Sequence, residues 1–320
     1  MIYAGIDEAG YGPLLGPLCV GASAFRIDAG AGAGAAPAPI DLWKLLAAAV
    51  CKKPKDTRRR IAVADSKKLK SNGKSPLVHL ERGVLTFSCD DAPTSDEQLF
   101  ARLGVHARTS RATPWHAHPQ SLPVSHTSDE IAIARNLLIG ALARSGARIE
   151  HFGVSALDAP AFNAIYESLR NKARVNLSLV FDAIRTIDLM RGDEPAFIAV
   201  DRQGGRSDYA GELEAHIARG AAVNIMHEDH ERSAYRVGEN LVISFEVEAE
   251  ERHLPVALAS MGAKYVRELS MRRLNAFFAQ RMEGLHPTAG YVEDGRRYLA
   301  EVKPILHAES IPERDFVRMA

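Results

Sequence analysis

Cysteine is scarce in this chain: Cys19, Cys51 and Cys89 are the three in 320 residues, odd in number and far apart. That excludes a disulfide framework and suits a reducing compartment. Net charge is lacking too. Forty lysines and arginines balance forty aspartates and glutamates, so no bulk field draws a polyanion, and any basic surface has to be local. The first residues contain no basic segment followed by an apolar core, and no apolar run reaches membrane-spanning length. Internal repeats are absent. The expectation is a cytoplasmic, soluble monomer without a membrane partner. Its 46% hydrophobic and 25% charged content is ordinary, and its length allows one large domain or a domain with a substantial insertion.

The most informative stretch that is present is Met1 to Val20. An apolar, strand-like run (Ile2 to Ile6) delivers two adjacent carboxylates, Asp7 and Glu8, and then a turn, Gly10-Tyr11-Gly12. Two adjacent acids at a strand end repel unless a cation or solvent compensates them. A divalent metal held by oxygen ligands is a common solution. The glycines let backbone approach a ligand without intervening side chains. Together these features point to metal plus phosphate.

Hydrophobic patterning predicts strands at 2–7 and 17–26 and a low-complexity loop over 29–38. It predicts a helix over 40–50 with Asp41 as its cap, and a further strand at 84–89. Residues 90–127, rich in Pro, Ser, Thr and His, look like an excursion. Helices are expected at 128–145, 159–171 and 176–190, with a strand near 149–155. A buried strand at 197–200 ends at Asp201. Helix 207–219, strands near 222–227, 233–237 and 241–247, and a long helix from Pro255 to Arg281 complete the pattern. Alternating strands and helices indicate an α/β fold with a mixed sheet flanked by helices. We divide it at 1–89 and 191–320 as two parts of one core, with 90–190 as a partly helical insertion.

Acids and lysines recur at predicted strand ends: Asp7-Glu8, Asp65-Ser66-Lys67-Lys68, Asp201, and the run Glu246, Glu248, Glu250, Glu251. Ligand sites of open α/β sheets gather at such ends. Asp7 and Glu8 point to opposite faces of a regular strand, so serving one site requires a bend directly after Asp7. Asp201 could equally cap a following helix, and the glutamates could line one solvated strand edge. The paired histidines at 116 and 118 and at 227 and 230 lack a metal-ligand pattern and read as exposed loop residues. The basic run from Lys52 to Arg60 reads as solvated charge or a nucleic-acid contact.

In order, GIDEAGYGPLLGPLCVGA, ADSKKL, AVDRQGG, PVALASMGAKYVREL and AGYVEDGRRYL resemble the type 2 ribonuclease H family (ribonucleases HII and HIII). The first two motifs carry most of the likeness. The resemblance implies a ribonuclease H-like fold and a metal-dependent endonuclease. Such an enzyme hydrolyses RNA in RNA–DNA hybrids, or at ribonucleotides embedded in DNA, with two Mg²⁺ or Mn²⁺ ions. It implies that Asp7, Glu8 and Asp201 are three of four catalytic, metal-binding carboxylates. The fourth falls in the acidic run. Glu250 is preferred, because Ala249-Glu250 reads like the family's alanine-acid pair, with Glu251 or Glu248 as alternates. By the same resemblance Gly10, Tyr11, Gly12, Lys67, Lys68, Ser260, Lys264 and Tyr291 would contact substrate. Gly10 and Gly12 would read the 2′-hydroxyl, Lys67 and Lys68 phosphate, and Tyr291 would stack on a sugar.

The chain departs from the family at three points. Tyr11 stands where an arginine is usual, the fourth acid is Glu rather than Asp, and Val292 replaces a proline. It is also longer, with the excess centred on 90–190. Two other readings stay open: a nuclease of this fold with a different structured substrate, and a non-catalytic nucleic-acid-binding relative.

Overall fold

The computed structural model describes residues 1–28, 36–54, 56, 59–69, 75, 77–88, 91–105 and 113–319. Among them are nine strands: β1 (Ile2–Ala9), β2 (Leu18–Ile27), β3 (Val50–Cys51), β4 (Ile61–Ala62), β5 (Ala147–Leu157), β6 (Ala196–Asp201), β7 (Val223–Glu228), β8 (Arg232–Val237) and β9 (Leu241–Glu246). Seven of these form one mixed sheet in the order β5-β2-β1-β6-β9-β8-β7, while β3 and β4 pair separately. β1, β6 and β9 run parallel at the centre. Antiparallel partners flank them on both sides.

The helices are α1 (Leu42–Leu45), α2 (Val78–Ser88), α3 (Asp96–Arg102), α4 (Ser128–Ser145), α5 (Ala159–Leu169), α6 (Lys172–Arg191), α7 (Ala210–His216), α8 (Leu254–Ala279), α9 (Val292–Ala308) and α10 (Glu313–Phe316). Strand alternation sorts them into two layers. Ile2, Ala4 and Ile6 of β1 face a core with Phe162, Val180 and Ile184 of α5 and α6. Tyr3, one residue out of step, faces a second core with Val256, Leu258 and Val266 of α8 and Leu80 and Val84 of α2. Helix α8 lies unusually close to the sheet. A Cβ at Gly5 would sit 2.1 Å from the Val256 amide nitrogen, so only glycine fits there. That close approach carries the first turns of α8 up to the end of β1.

Two local expectations change. The 40–50 helix is only Leu42–Leu45; Asp41 does cap it, accepting from the Lys44 amide at 3.0 Å, but the chain then leaves for β3. Instead of a strand at 84–89 there is the helix α2, ending at Ser88. Its buried Leu80, Val84 and Phe87 recur at helical spacing. Its buried Glu81 takes the Val124 and Ser125 amides at 2.7 Å each and the Tyr265 hydroxyl at 2.8 Å. Cys89 lies outside the described residues, as do residues 29–35 of the low-complexity loop.

The stretch 90–190 is not set apart from the core. Its strand β5 pairs with β2 from Leu18↔Leu157 to Ile27↔Ala147, so it forms an edge of the main sheet. Nor is His116 exposed: it is buried, with its Nε2 3.0 Å from an Asp158 carboxylate oxygen, beside Trp115 in a cluster with Phe277, Phe278 and Phe316. His227 is exposed and pairs with Asp229 at 2.7 Å. Among the described residues no helix is long and apolar enough to cross a membrane.

Candidate active site

β1 and β6 run in register as far as Ile6 and Val200. Asp7 and Asp201 come next. There β6 ends, while β1 continues against β2 to Ala9. The bend expected after Asp7 is therefore absent, and the gap where β6 stops takes its place. One carboxylate oxygen from each of Asp7, Glu8 and Asp201 lies within 4.8 Å of the other two. Opposite faces of the sheet supply polar neighbours to the adjacent pair: Ser260 of α8 stands beside the Asp7 carboxyl, and Asn176 of α6 beside that of Glu8.

Glu250 arrives on the 3-10 turn Ala249–Glu251 that follows β9. The Ala249 amide donates to Asp201 Oδ1 at 3.1 Å and draws this turn onto the end of β6. The Glu250 carboxylate lies against that of Asp201, and its Oε2 is buried without a partner. The alternates are elsewhere. Glu248 is exposed in a left-handed conformation. Glu251 is exposed and ion-paired with Lys68.

Burial, then the charges of Asp201 and Glu8, hold the Asp7 carboxyl well above the usual carboxylate range. Burial, then Glu250, pushes Asp201 up to about 8. Burial also raises Glu8, against the opposing effects of Asn176 and Lys67. Among the described residues no ion pair neutralises any of the four. This all-oxygen donor set, with its orphaned Glu250 oxygen, fits a hard divalent cation such as Mg²⁺ or Mn²⁺.

The turn beside these acids needs one of its glycines. Gly10 has φ +87°, and a Cβ there would meet the Pro17 carbonyl at 2.7 Å. Gly12 faces open space. Tyr11 is 37% exposed, and Lys172 Nζ lies 5.2 Å from its ring centre. Tyr11 and Glu8 line a cavity of about 290 Å³ together with Arg174, Asn176, Gln203 and Arg206.

A larger cavity, about 500 Å³, is lined in part by Lys67, Lys264, Arg272, Tyr291, Val124 and Ser125. Lys264 is paired with Glu268 at 2.7 Å. Ser260 faces Ser66 at 3.3 Å beside Asp7 rather than lining this cavity. The two lysines of the 65–69 motif part company. Lys67 faces the cavity and Lys68 turns to Glu251. Reading the sequence missed Asn176, which looks like an ordinary polar residue in an apolar helix. It also missed Arg272 and the 124–125 wall, which carry no motif.

No family model matches the chain, and no curated protein does. Solved structures do. Ribonuclease HII of Archaeoglobus fulgidus, solved in complex with PCNA, is 20% identical, with 100% of this chain and 94% of that one covered and a TM-score of 0.45. The chain is similar to type 2 ribonucleases H. Ribonuclease H2 of Pyrococcus horikoshii OT3 is 17% identical over 99% of this chain and 92% of that one, at a TM-score of 0.47. Bst-RNase HIII in complex with Mn²⁺ is 15% identical over 99% and 66%, at 0.43.

Proposed function

We propose that this chain is a divalent-metal-dependent endonuclease of the ribonuclease H type, acting on RNA–DNA hybrids or on ribonucleotides embedded in DNA. The observation that carries this reading is the meeting of Asp7, Glu8 and Asp201 within 4.8 Å at the ends of two parallel strands. No cation is paired with them among the described residues. The motif order in the sequence supports it, as do the glycine turn and the lysine- and tyrosine-lined cavity beside the acids.

Asp7, Glu8, Asp201 and Glu250 would hold the metal, with two Mg²⁺ or Mn²⁺ ions expected. Bound there, the ions would supply a Lewis acid and an activated water for attack on a phosphodiester. The chain's own residues prepare that chemistry. Burial and the neighbouring acids make the charged forms of Asp7 and Asp201 costly without a cation, and Ser260 and Asn176 stand beside Asp7 and Glu8. Amides of the Gly10–Gly12 turn read a 2′-hydroxyl, Lys67 and Lys264 take phosphate, and Tyr291 stacks on a sugar. The enzyme works as a cytoplasmic monomer with nucleic acid as its partner. Its two described cysteines, Cys19 and Cys51, are buried and free.

The test is cleavage, with Mg²⁺ or Mn²⁺, of a hybrid, a single-ribonucleotide duplex, and plain DNA and RNA duplexes. Cleavage confined to the first two is expected. Equal cleavage of a plain duplex would favour a different structured substrate, the reading that Tyr11 motivates. Binding without any cleavage would leave a non-catalytic binder.

A further inference from the structure

The turn between β1 and β2 is held from beneath by two arginines that the site description has not used. Arg318 Nη2 donates to the Gly10 carbonyl at 2.7 Å and also to the Pro13 carbonyl, 305 residues away in sequence. Its backbone amide donates to the Leu14 carbonyl at 3.1 Å. Arg267 continues the row, donating to the carbonyls of Pro17 at 2.8 Å and Leu15 at 3.2 Å. Each arginine is 2% exposed, and neither has a carboxylate partner among the described residues. A buried guanidinium without a carboxylate bonds whatever acceptors it reaches, and a charged N–H donor makes a stronger bond to a carbonyl than a neutral one. For Arg318 it is Nη2 that is satisfied, while Nε and Nη1 have no partner among the described residues. Arg318 is itself anchored. Asn163 Nδ2 donates to the Val317 carbonyl at 2.8 Å, Asn163 Oδ1 accepts the Met319 amide at 2.6 Å, and the guanidinium lies 5.2 Å from the Phe162 ring centre.

The planar trans peptide converts this into a direction. With the Gly10 carbonyl drawn inward to Arg318, the Tyr11 N–H on the same peptide points the other way. The Tyr11 and Gly12 amides donate to no acceptor among the described residues. We propose that Arg318 is the positioning residue of the Gly10–Pro13 turn, aiming its free amides at the ribonucleotide. Together with Arg267 it places positive charge under a turn whose exposed side chain, Tyr11, carries none. The substrate half of this inference rests on the function proposed above; the hold on the turn does not.

Arg318→Met and Arg318→Lys test it, with melting curves to establish folding. The first readout is hydrogen exchange. Arg318→Met should raise exchange in the Gly10–Pro13 turn while β1 and β6 keep their protection. Arg318→Lys, which keeps the charge and one donor, should recover part of it. The second readout is the ratio of affinities for a single-ribonucleotide duplex and the same all-DNA duplex, in Ca²⁺ to prevent cleavage. It should fall about tenfold in Arg318→Met, roughly the weight of one charge-assisted hydrogen bond. Mn²⁺ affinity should stay unchanged, since Arg318 touches none of the four acids.

Unchanged exchange in the turn, or a rise spread evenly over the chain, overturns the positioning role. A loosened turn with an unchanged affinity ratio overturns its part in recognition. A wild-type protein with no preference for the ribonucleotide duplex sinks the proposed function instead, and the exchange result still decides whether Arg318 holds the turn.

Discussion

Two buried acidic regions lie one strand apart and are opposite in character. Asp201 and Glu246 are register partners on β6 and β9. Around Glu246 every charge is answered: Ser244 Oγ at 2.7 Å, Arg252 Nε at 3.0 Å and His253 Nε2 at 3.1 Å, with Arg232 at 3.6 Å. Despite its burial, the hydrogen bonds from His253 and Ser244 pull Glu246 down to about 2. Around Asp201 only the Ala249 amide donates and no cation pairs with it among the described residues, and burial with Glu250 drives it up to about 8. Acidity and burial are shared. What differs is the supply of cationic partners, and the cluster that lacks them is the one we propose holds metal.

The comparison breaks most visibly through single substitutions on each side. Asp7→Asn should lower cleavage of an RNA–DNA hybrid by about a thousandfold, the scale on which losing one preorganised electrostatic group acts. Its circular dichroism and hybrid binding should stay near those of the parent protein, because phosphate contacts come from other groups. Near-normal turnover at saturating Mg²⁺ would remove the cluster from the chemistry. Glu246→Gln should do the reverse. It leaves a cation group partly unpaired and should cost about 2 kcal/mol in a denaturant titration, the buried-pair penalty discounted because Arg232 and Arg252 are about half exposed. Unchanged stability there would show that the two regions do not differ as described.

pH sharpens the contrast, because the shifts have opposite signs. Asp201 binds its proton more tightly folded than unfolded, so the metal-free protein should lose stability as pH rises from about 3.8 to about 8. Glu246 contributes stability above its unfolded value, which is lost as pH falls from 4.5 toward about 2. Melting temperatures in EDTA should therefore peak on the acid side of neutrality. Adding Mn²⁺ should recover the loss mainly at the alkaline end, where the cluster is deprotonated. A metal effect equal at pH 5 and pH 8 would contradict this.

The smallest expected effect concerns Tyr11. Tyr11→Arg should steepen the salt dependence of binding by about one phosphate's worth. It should also shift the ratio of hybrid to single-ribonucleotide cleavage. If neither moves, Tyr11 with Lys172 over its ring is part of the rim and has no bearing on specificity.

Much of the fold is legible because its strands are short apolar runs closed by turn chemistry. β1, β2, β6 and β9 sit close to where alternation and apolar runs put them, as does the long helix starting near Pro255. The segment around 84–89 misled because its apolar run also carries strand propensity. The helical spacing of Leu80, Val84 and Phe87 is the signal that was passed over, and the buried Glu81 ties the helix to residues 124–126 and to Tyr265. β5 was placed as a strand but not as part of the main sheet. Pairing between residues more than a hundred positions apart leaves no local mark.

In the candidate site the division runs along the same line. Local chemistry alone marks Asp7, Glu8 and the glycine turn, because two adjacent acids before Gly10 are conspicuous within a few residues of chain. Choosing among Glu248, Glu250 and Glu251 is a matter of tertiary geometry. The resemblance favours Glu250 through the pair Ala249-Glu250, but spacing alone does not separate the three acids, and it is the Ala249 amide bond to Asp201 that turns this one inward. Asn176, Arg267 and Arg318 belong wholly to the tertiary structure. Each works through a partner brought near by register or helix packing, and burial gives an isolated asparagine or arginine a role that no sequence neighbour announces.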